Sequence, residues 1–270
     1  MPELPEVETV RRTLKNFVLH KTIDSIEVLY PRIIDGDVET FVTTLIHQSI
    51  CDIDRYGKYL IFILDHDAFI SHLRMEGKYN IKMKDEPYDK HDHIIFHMTD
   101  GTDLRYNDTR KFGRMQLVDK EHYREYPPLN RLGQEPMDAS FDYIYPRIHQ
   151  SHLPIKQLLL DQSIFTGIGN IYANEICFRM GMDPRTRGDR LSKKRIEELI
   201  QVSSTILKEA IAQGGTTIHS FDANGIHGLF QVKLTGQGKK TCSKSKGTIK
   251  KITIAGRGTY YCPHCQKRRY

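Results

Sequence analysis

The chain has no tryptophan, and no apolar run approaches the roughly 20 residues a helix needs to cross a bilayer. No basic-then-apolar leader precedes the first helical pattern, so the expected location is cytoplasmic and no membrane partner is expected. Cysteine is scarce and odd in number: of the five, three crowd into the last thirty residues, which argues for thiols or a metal knuckle over a disulfide framework. Acidic residues are missing from one end. The last is Asp222, and residues 223–270 hold eleven Lys or Arg, leaving a balance of −5 before them within an overall +6. A cationic terminal module of this kind, interleaved with Gly, Thr and Tyr, points to a polyanion partner. At 270 residues, two domains are expected.

What is present is richest at the other end, in MPELPEVETV. Removal of Met1 would leave Pro2 as a secondary amine. An α-amine titrates near ~8 against ~10.4 for lysine, so part of it is neutral at physiological pH. Such an amine attacks a sugar aldehyde carbon to give an iminium, an electron sink for later elimination. Glu3, next to it, can move protons. Pro5 is expected to open a helix with Glu6 and Glu8 in its first turn and Val7, Val10, Leu14 and Phe17 as its buried stripe. That role accounts for those residues and leaves Pro2 and Glu3 unexplained, to be decided by the rest of the chain.

Residues 22–30 alternate as a strand, and 37–47 read as a short helix. From 49 to 119 strands dominate, over 50–65, 69–83 and 93–118, with Asp100-Gly101 as a hairpin signal. Lys58 stands beside Gly57 where a strand begins. Met75, Arg110 and Phe112 are expected at strand ends or turns, where an apolar side chain serves as a wedge and a cation can occupy a vacated base position. Residues 125–142 are rich in Pro, Gly and polar side chains and read as a linker. Helices follow over 155–161, 171–180 and 192–213, the last closed by Gly214-Gly215. Before the second of these, T-G-I-G-N (166–170) offers backbone N–H groups to a phosphate. Residues 216–231 form a long polar, glycine-containing connection of the kind that closes over ligands. Cys242 and C-P-H-C at 262–265 resemble halves of a zinc ribbon, but Ser245 stands where the second ligand belongs. Zinc would then use Cys242, Cys262 and Cys265 with water or a borrowed group, or the hairpin folds without metal. Between them Arg257, at an expected hairpin tip, can grip a phosphate.

Together these motifs, from MPELPEVETV to GRGTYYCPHCQ, resemble the bacterial formamidopyrimidine-DNA glycosylase family over essentially the whole chain. The resemblance implies an α+β fold: an N-terminal antiparallel β-sandwich domain with an N-terminal helix (1–124), a linker (125–142), a helical helix-two-turn-helix DNA-binding domain (143–232) and a zinc-finger-type hairpin (233–270). It implies a monomeric base-excision-repair enzyme that removes 8-oxoguanine and formamidopyrimidines from double-stranded DNA and cuts abasic sites by β,δ-elimination. No redox cofactor is involved, and the enzyme would sit at the nucleoid through its DNA. Carried over, Pro2 is the Schiff-base nucleophile, Glu3 the proton shuttle, Lys58 a proton carrier in β-elimination and Arg257 a phosphate grip in δ-elimination. His91, His152 and Asn170 contact the DNA backbone, and Met75, Arg110 and Phe112 fill the gap left by the everted base. The loop 216–228 would fold over the lesion. One zinc ion would use Cys242, Cys262 and Cys265, with Ser245 breaking the set. The approach to Cys242 also runs about two residues short of the family pattern. Alternatives are a non-catalytic damaged-DNA binder with a decayed finger, or a glycosylase preferring oxidised pyrimidines.

Overall fold

The computed structural model describes residues 1–216 and 241–267, which divide into two compact units, 1–130 and 131–216 with 241–267. The expected lid, 217–228, and most of the approach to Cys242 lie outside the described residues.

The first unit opens with α1 (Leu4–Val18), whose Val7, Val10, Leu14 and Val18 are buried. Phe17 is 42% exposed, against expectation. The stripe steps by i, i+4 from Val10 through Leu14 to Val18 and leaves Phe17 on its flank. After β1 (Ile23–Val28) and α2 (Val38–Leu45), capped by Asp37 accepting from the Thr40 N–H at 2.6 Å, strands take over. These are β2 (Ile50–Tyr56), β3 (Tyr59–Leu64), β4 (Ala68–His72), β5 (Lys78–Met83), β6 (Asp92–Met98), β7 (Thr102–Asn107) and β8 (Arg114–Val118).

They form two four-stranded antiparallel sheets, ordered β1-β6-β7-β5 and β2-β3-β4-β8. The runs read at 69–83 and 93–118 therefore each break in the middle. Residues 73–77 carry the chain from β4 in one sheet to β5 in the other, and 108–113 carry it back from β7 to β8. Between the sheets Phe69 stacks on Phe62 at 4.5 Å and on Phe96 at 5.4 Å, joining the two inner faces in one core.

The second unit holds α3 (Phe141–His149), α4 (Ile155–Leu160), α5 (Asn170–Arg179) and α6 (Lys193–Ala212), then the hairpin β9 (Lys250–Ile254) and β10 (Arg257–Tyr261). Helix α3 was not expected from periodicity, because Pro146 lies inside it. Its signals are the Ser140 cap and the rings of Phe141, Tyr145 and His149, stacked one turn apart. Helix α5 is buried over Tyr172–Phe178. No described helix is long and apolar enough to cross a membrane.

Candidate functional site

Pro2 and Glu3 are buried at the start of α1. Glu3 and Glu6 form a reciprocal capping box, in which the Glu3 N–H donates to Glu6 Oε2 at 2.9 Å, so the helix fixes the geometry of the terminus. Burial pushes the amine of Met1, which precedes Pro2, below its ordinary value. Glu3 and Glu6 pull it upward, Lys58 pushes it down and Glu76 pulls upward again. All four therefore act at the same end of α1. Lys58 occupies the second position of the two-residue turn between β2 and β3, after Gly57 at φ +57°. It is 6% exposed, so it is not a solvated edge lysine. His72, which sequence reasoning passed over, ends β4 beside it. Burial, then Arg74 and Lys58, depress its imidazole to about 3, and Nδ1 accepts from the Arg74 N–H at 2.9 Å. A histidine on a strand gives no sequence sign of this; only the pairing of β3 with β4 brings it near Lys58.

The expected wedge residues do lie in turns. Met75 is half-buried between β4 and β5, Arg110 is exposed between β7 and β8, and Phe112 is 48% exposed in the same turn. The Arg110 guanidinium lies over the Phe112 ring at 4.9 Å. His91 stands just before β6 with its N–H donating to Asp89 Oδ1 at 2.8 Å, and its carbonyl accepts from the Asp108 N–H at 3.0 Å. His91, Arg110 and Phe112 are thus neighbours of one residue, Asp108.

The second unit carries the others. The T-G-I-G-N turn is held by Gln162, whose side chain donates to the Ile168 carbonyl at 2.9 Å and accepts from the Gly167 N–H at 3.0 Å. Asn170 opens α5, and its Oδ1 is buried with no hydrogen-bond partner among the described residues. His152 is exposed in a cluster with Asp189 and Arg187. Arg257 is exposed at the start of β10, directly after the Ala255-Gly256 turn. Lys156, also missed in a helix that reads as ordinary, is fully buried and donates to the Gly258 carbonyl at 3.1 Å and Thr259 Oγ1 at 2.7 Å, fixing the strand that bears Arg257.

Cys242, Cys262 and Cys265 place their sulfurs within 4.8 Å of one another, with 3.6 Å between Cys242 and Cys265. Zinc–sulfur bonds of about 2.3 Å give a tetrahedral edge near ~3.8 Å, so the set fits three corners of a zinc site. Ser245 Oγ lies 3.3 Å from Cys262 Sγ, at the fourth. Burial alone would raise the Cys242 thiol, but hydrogen bonds from the Ser245 N–H and hydroxyl and from Lys244 hold it at about 6. The knuckle is docked by Gln266, which accepts from the Cys262 N–H at 2.8 Å and donates to the Met182 carbonyl at 2.9 Å.

The sequence matches three family profiles: the formamidopyrimidine-DNA glycosylase N-terminal domain over residues 1–115, its H2TH domain over 132–222, and the zinc finger found in FPG and IleRS over 246–268. The last match begins after Ser245. The chain is 45% identical to the formamidopyrimidine-DNA glycosylase of Bacillus licheniformis, across 99% of this chain and 100% of the relative. It is also 45% identical to that of Bacillus subtilis, across 100% of both. A point mutant of Lactococcus lactis FPG, solved in complex with a Fapy-dG containing DNA, superposes with a TM-score of 0.94 at 37% identity, covering 99% of this chain and 100% of that one. The same species' Fpg with an abasic site containing DNA gives 0.92 at 36%, covering 98% and 100%.

Proposed function

The chain belongs to the formamidopyrimidine-DNA glycosylase family, and on that premise we propose that it excises oxidised purines from duplex DNA and cleaves the resulting abasic site through a Schiff base on Pro2. The observation that carries this reading is the buried start of the chain: Pro2 and Glu3 are buried at the head of α1, and burial pushes the Met1 amine, one residue before Pro2, toward its neutral form within electrostatic reach of Glu3 and Lys58.

With Met1 removed, the Pro2 nitrogen attacks C1′ as the C1′–base bond breaks, and Glu3 supplies the proton that opens the sugar ring. The resulting iminium acidifies the C2′ hydrogen. Loss of that proton expels the 3′ phosphate, with Lys58 carrying a proton, and a second elimination expels the 5′ phosphate. His91, His152, Asn170 and Arg257 are assigned to the DNA backbone, where Arg257 can grip a phosphate bidentately. Met75, Arg110 and Phe112 are assigned to the space the base leaves. Zinc, when bound, supplies a structural cross-link and no chemistry at the sugar. Cys242, Cys262 and Cys265 would hold it, with a hydroxyl or water at the Ser245 corner.

The test is a nicking assay on a duplex containing 8-oxoguanine opposite cytosine, with borohydride trapping of the covalent intermediate. Protein whose terminus is extended or acetylated should lose both. Undiminished trapping by such protein would remove Pro2 from the mechanism.

A further inference from the structure

We propose that Asp108 and Tyr106 are positioning residues that lock the Met75 turn and the Arg110–Phe112 turn into one rigid wedge. The inference rests on the assignment of those side chains to the gap left by an everted base. Both turns are crossovers between the two sheets, and nothing in sheet pairing alone would fix one against the other.

Three features fix them. Asp108 is fully buried, and its carboxylate accepts three backbone N–H groups of its own turn: Arg110 on Oδ1 at 2.9 Å, and Phe112 and Gly113 on Oδ2, each at 2.9 Å. A buried carboxylate so supplied is stable only in that loop conformation, so the charge dictates the backbone that carries Arg110 and Phe112. The Tyr106 side chain, also fully buried, donates to Asp108 Oδ2 at 3.4 Å, and its hydroxyl end lodges between Gly77 of the first turn and Gly113 of the second. A methyl group at either glycine would overlap it, so each turn presses bare backbone on the same ring. Finally, the Thr109 hydroxyl of the second turn bonds the Glu76 carboxylate of the first. Glu76 is also one of the groups felt by the Met1 amine, so this turn lies within electrostatic reach of the start of the chain.

The consequence concerns base eversion more than elimination. A wedge that enters the base stack already ordered spends no binding energy on ordering itself. In Asp108→Asn the amide nitrogen cannot accept, so at least one N–H of the turn loses its partner in either orientation of the amide. Tyr106→Phe removes only the hydroxyl lodged between the two glycines.

Each variant is compared with wild type in single-turnover excision of 8-oxoguanine opposite cytosine, in cutting of a pre-formed abasic site, and by fluorescence of 2-aminopurine placed beside the lesion. Excision and the 2-aminopurine rise are expected to slow at least tenfold, while abasic-site cutting stays within twofold. Wild-type rates in both variants, or equal slowing of both reactions, would overturn the proposal. If Asp108→Asn does not fold, as judged by its melting transition, Tyr106→Phe decides alone. Wild-type protein inert on both substrates would instead bring down the glycosylase reading, and this inference with it.

Discussion

Two buried side chains of the first unit, His72 and Glu8, take their ionisation from their surroundings, and each makes a separate prediction. His72 is held at about 3, first by burial and then by the positive charges of Arg74 and Lys58. It should remain neutral from pH 8 to pH 5, with the proton on Nε2, since Nδ1 accepts from Arg74. Its imidazole resonances in an NMR titration should not move over that range, and a midpoint near 6.5 would contradict the assigned environment. Glu8 is the opposite case in chemistry and the same in sign. Burial would raise it, but hydrogen bonds from Arg11, Arg12 and Arg55 outweigh that and hold it at about 2. A carboxylate depressed from 4.5 to about 2 contributes stability that is complete above the unfolded value and is lost as pH falls between the two. Glu8→Gln should therefore destabilise the fold at neutral pH and flatten the acid limb of the melting curve between about 4.5 and about 2. An acid limb identical to wild type would mean that the arginines contribute nothing through this charge.

At the level of elements, the β2–β3 hairpin depends on one backbone angle. Gly57 at φ +57° supplies the left-handed first position of the turn, and an alanine there costs about 1–2 kcal/mol. Gly57→Ala should lower stability by that amount in urea denaturation. Because Lys58 is the next residue, elimination at a pre-formed abasic site should slow as well, and loss of stability without loss of rate would detach the turn from the chemistry. The knuckle makes a second prediction at this scale. Three sulfurs bind zinc less tightly than four, so Ser245→Cys should retain zinc through a chelator dialysis that strips the wild type, as read by metal analysis. Equal retention would show that the serine corner is no weakness. How far such elements could be read from sequence followed from what each signal contains. Caps and periodicity placed α2, α4, α5 and α6 within a residue or two, since those signals are local. Alternation identified the strands but could not say that β4 and β5, one apparent run, belong to different sheets. Pairing partners are chosen by the core, so the crossovers, the burial of Lys58 and the place of His72 were not legible. The turn positions of Met75, Arg110 and Phe112 were legible, because the Gly, Asp and Thr around them interrupt the strand alternation.

For the whole molecule, charge and shape should contribute to DNA binding through separable terms. Residues 223–270 concentrate eleven basic side chains without an acid, while the rest of the chain is net negative, so the electrostatic attraction is assigned to one end of the sequence. Each phosphate that a cation neutralises releases counterions and steepens the dependence of log Kobs on log salt by ~0.9. Arg257, exposed and anchored through the Lys156-held strand, is assigned to one such phosphate. Arg257→Gln should therefore weaken binding to lesion-bearing and undamaged duplex alike and reduce the magnitude of the salt slope by about 1. Phe112 carries no charge, and the contribution assigned to it is the insertion of a ring. Phe112→Ala should lower affinity for the lesion duplex several-fold with the slope unchanged. Fluorescence anisotropy titrations between 50 and 200 mM salt distinguish the two. If Phe112→Ala altered the slope as much as Arg257→Gln did, the wedge would be acting by repositioning the cationic end, and the separation of attraction from insertion would fail.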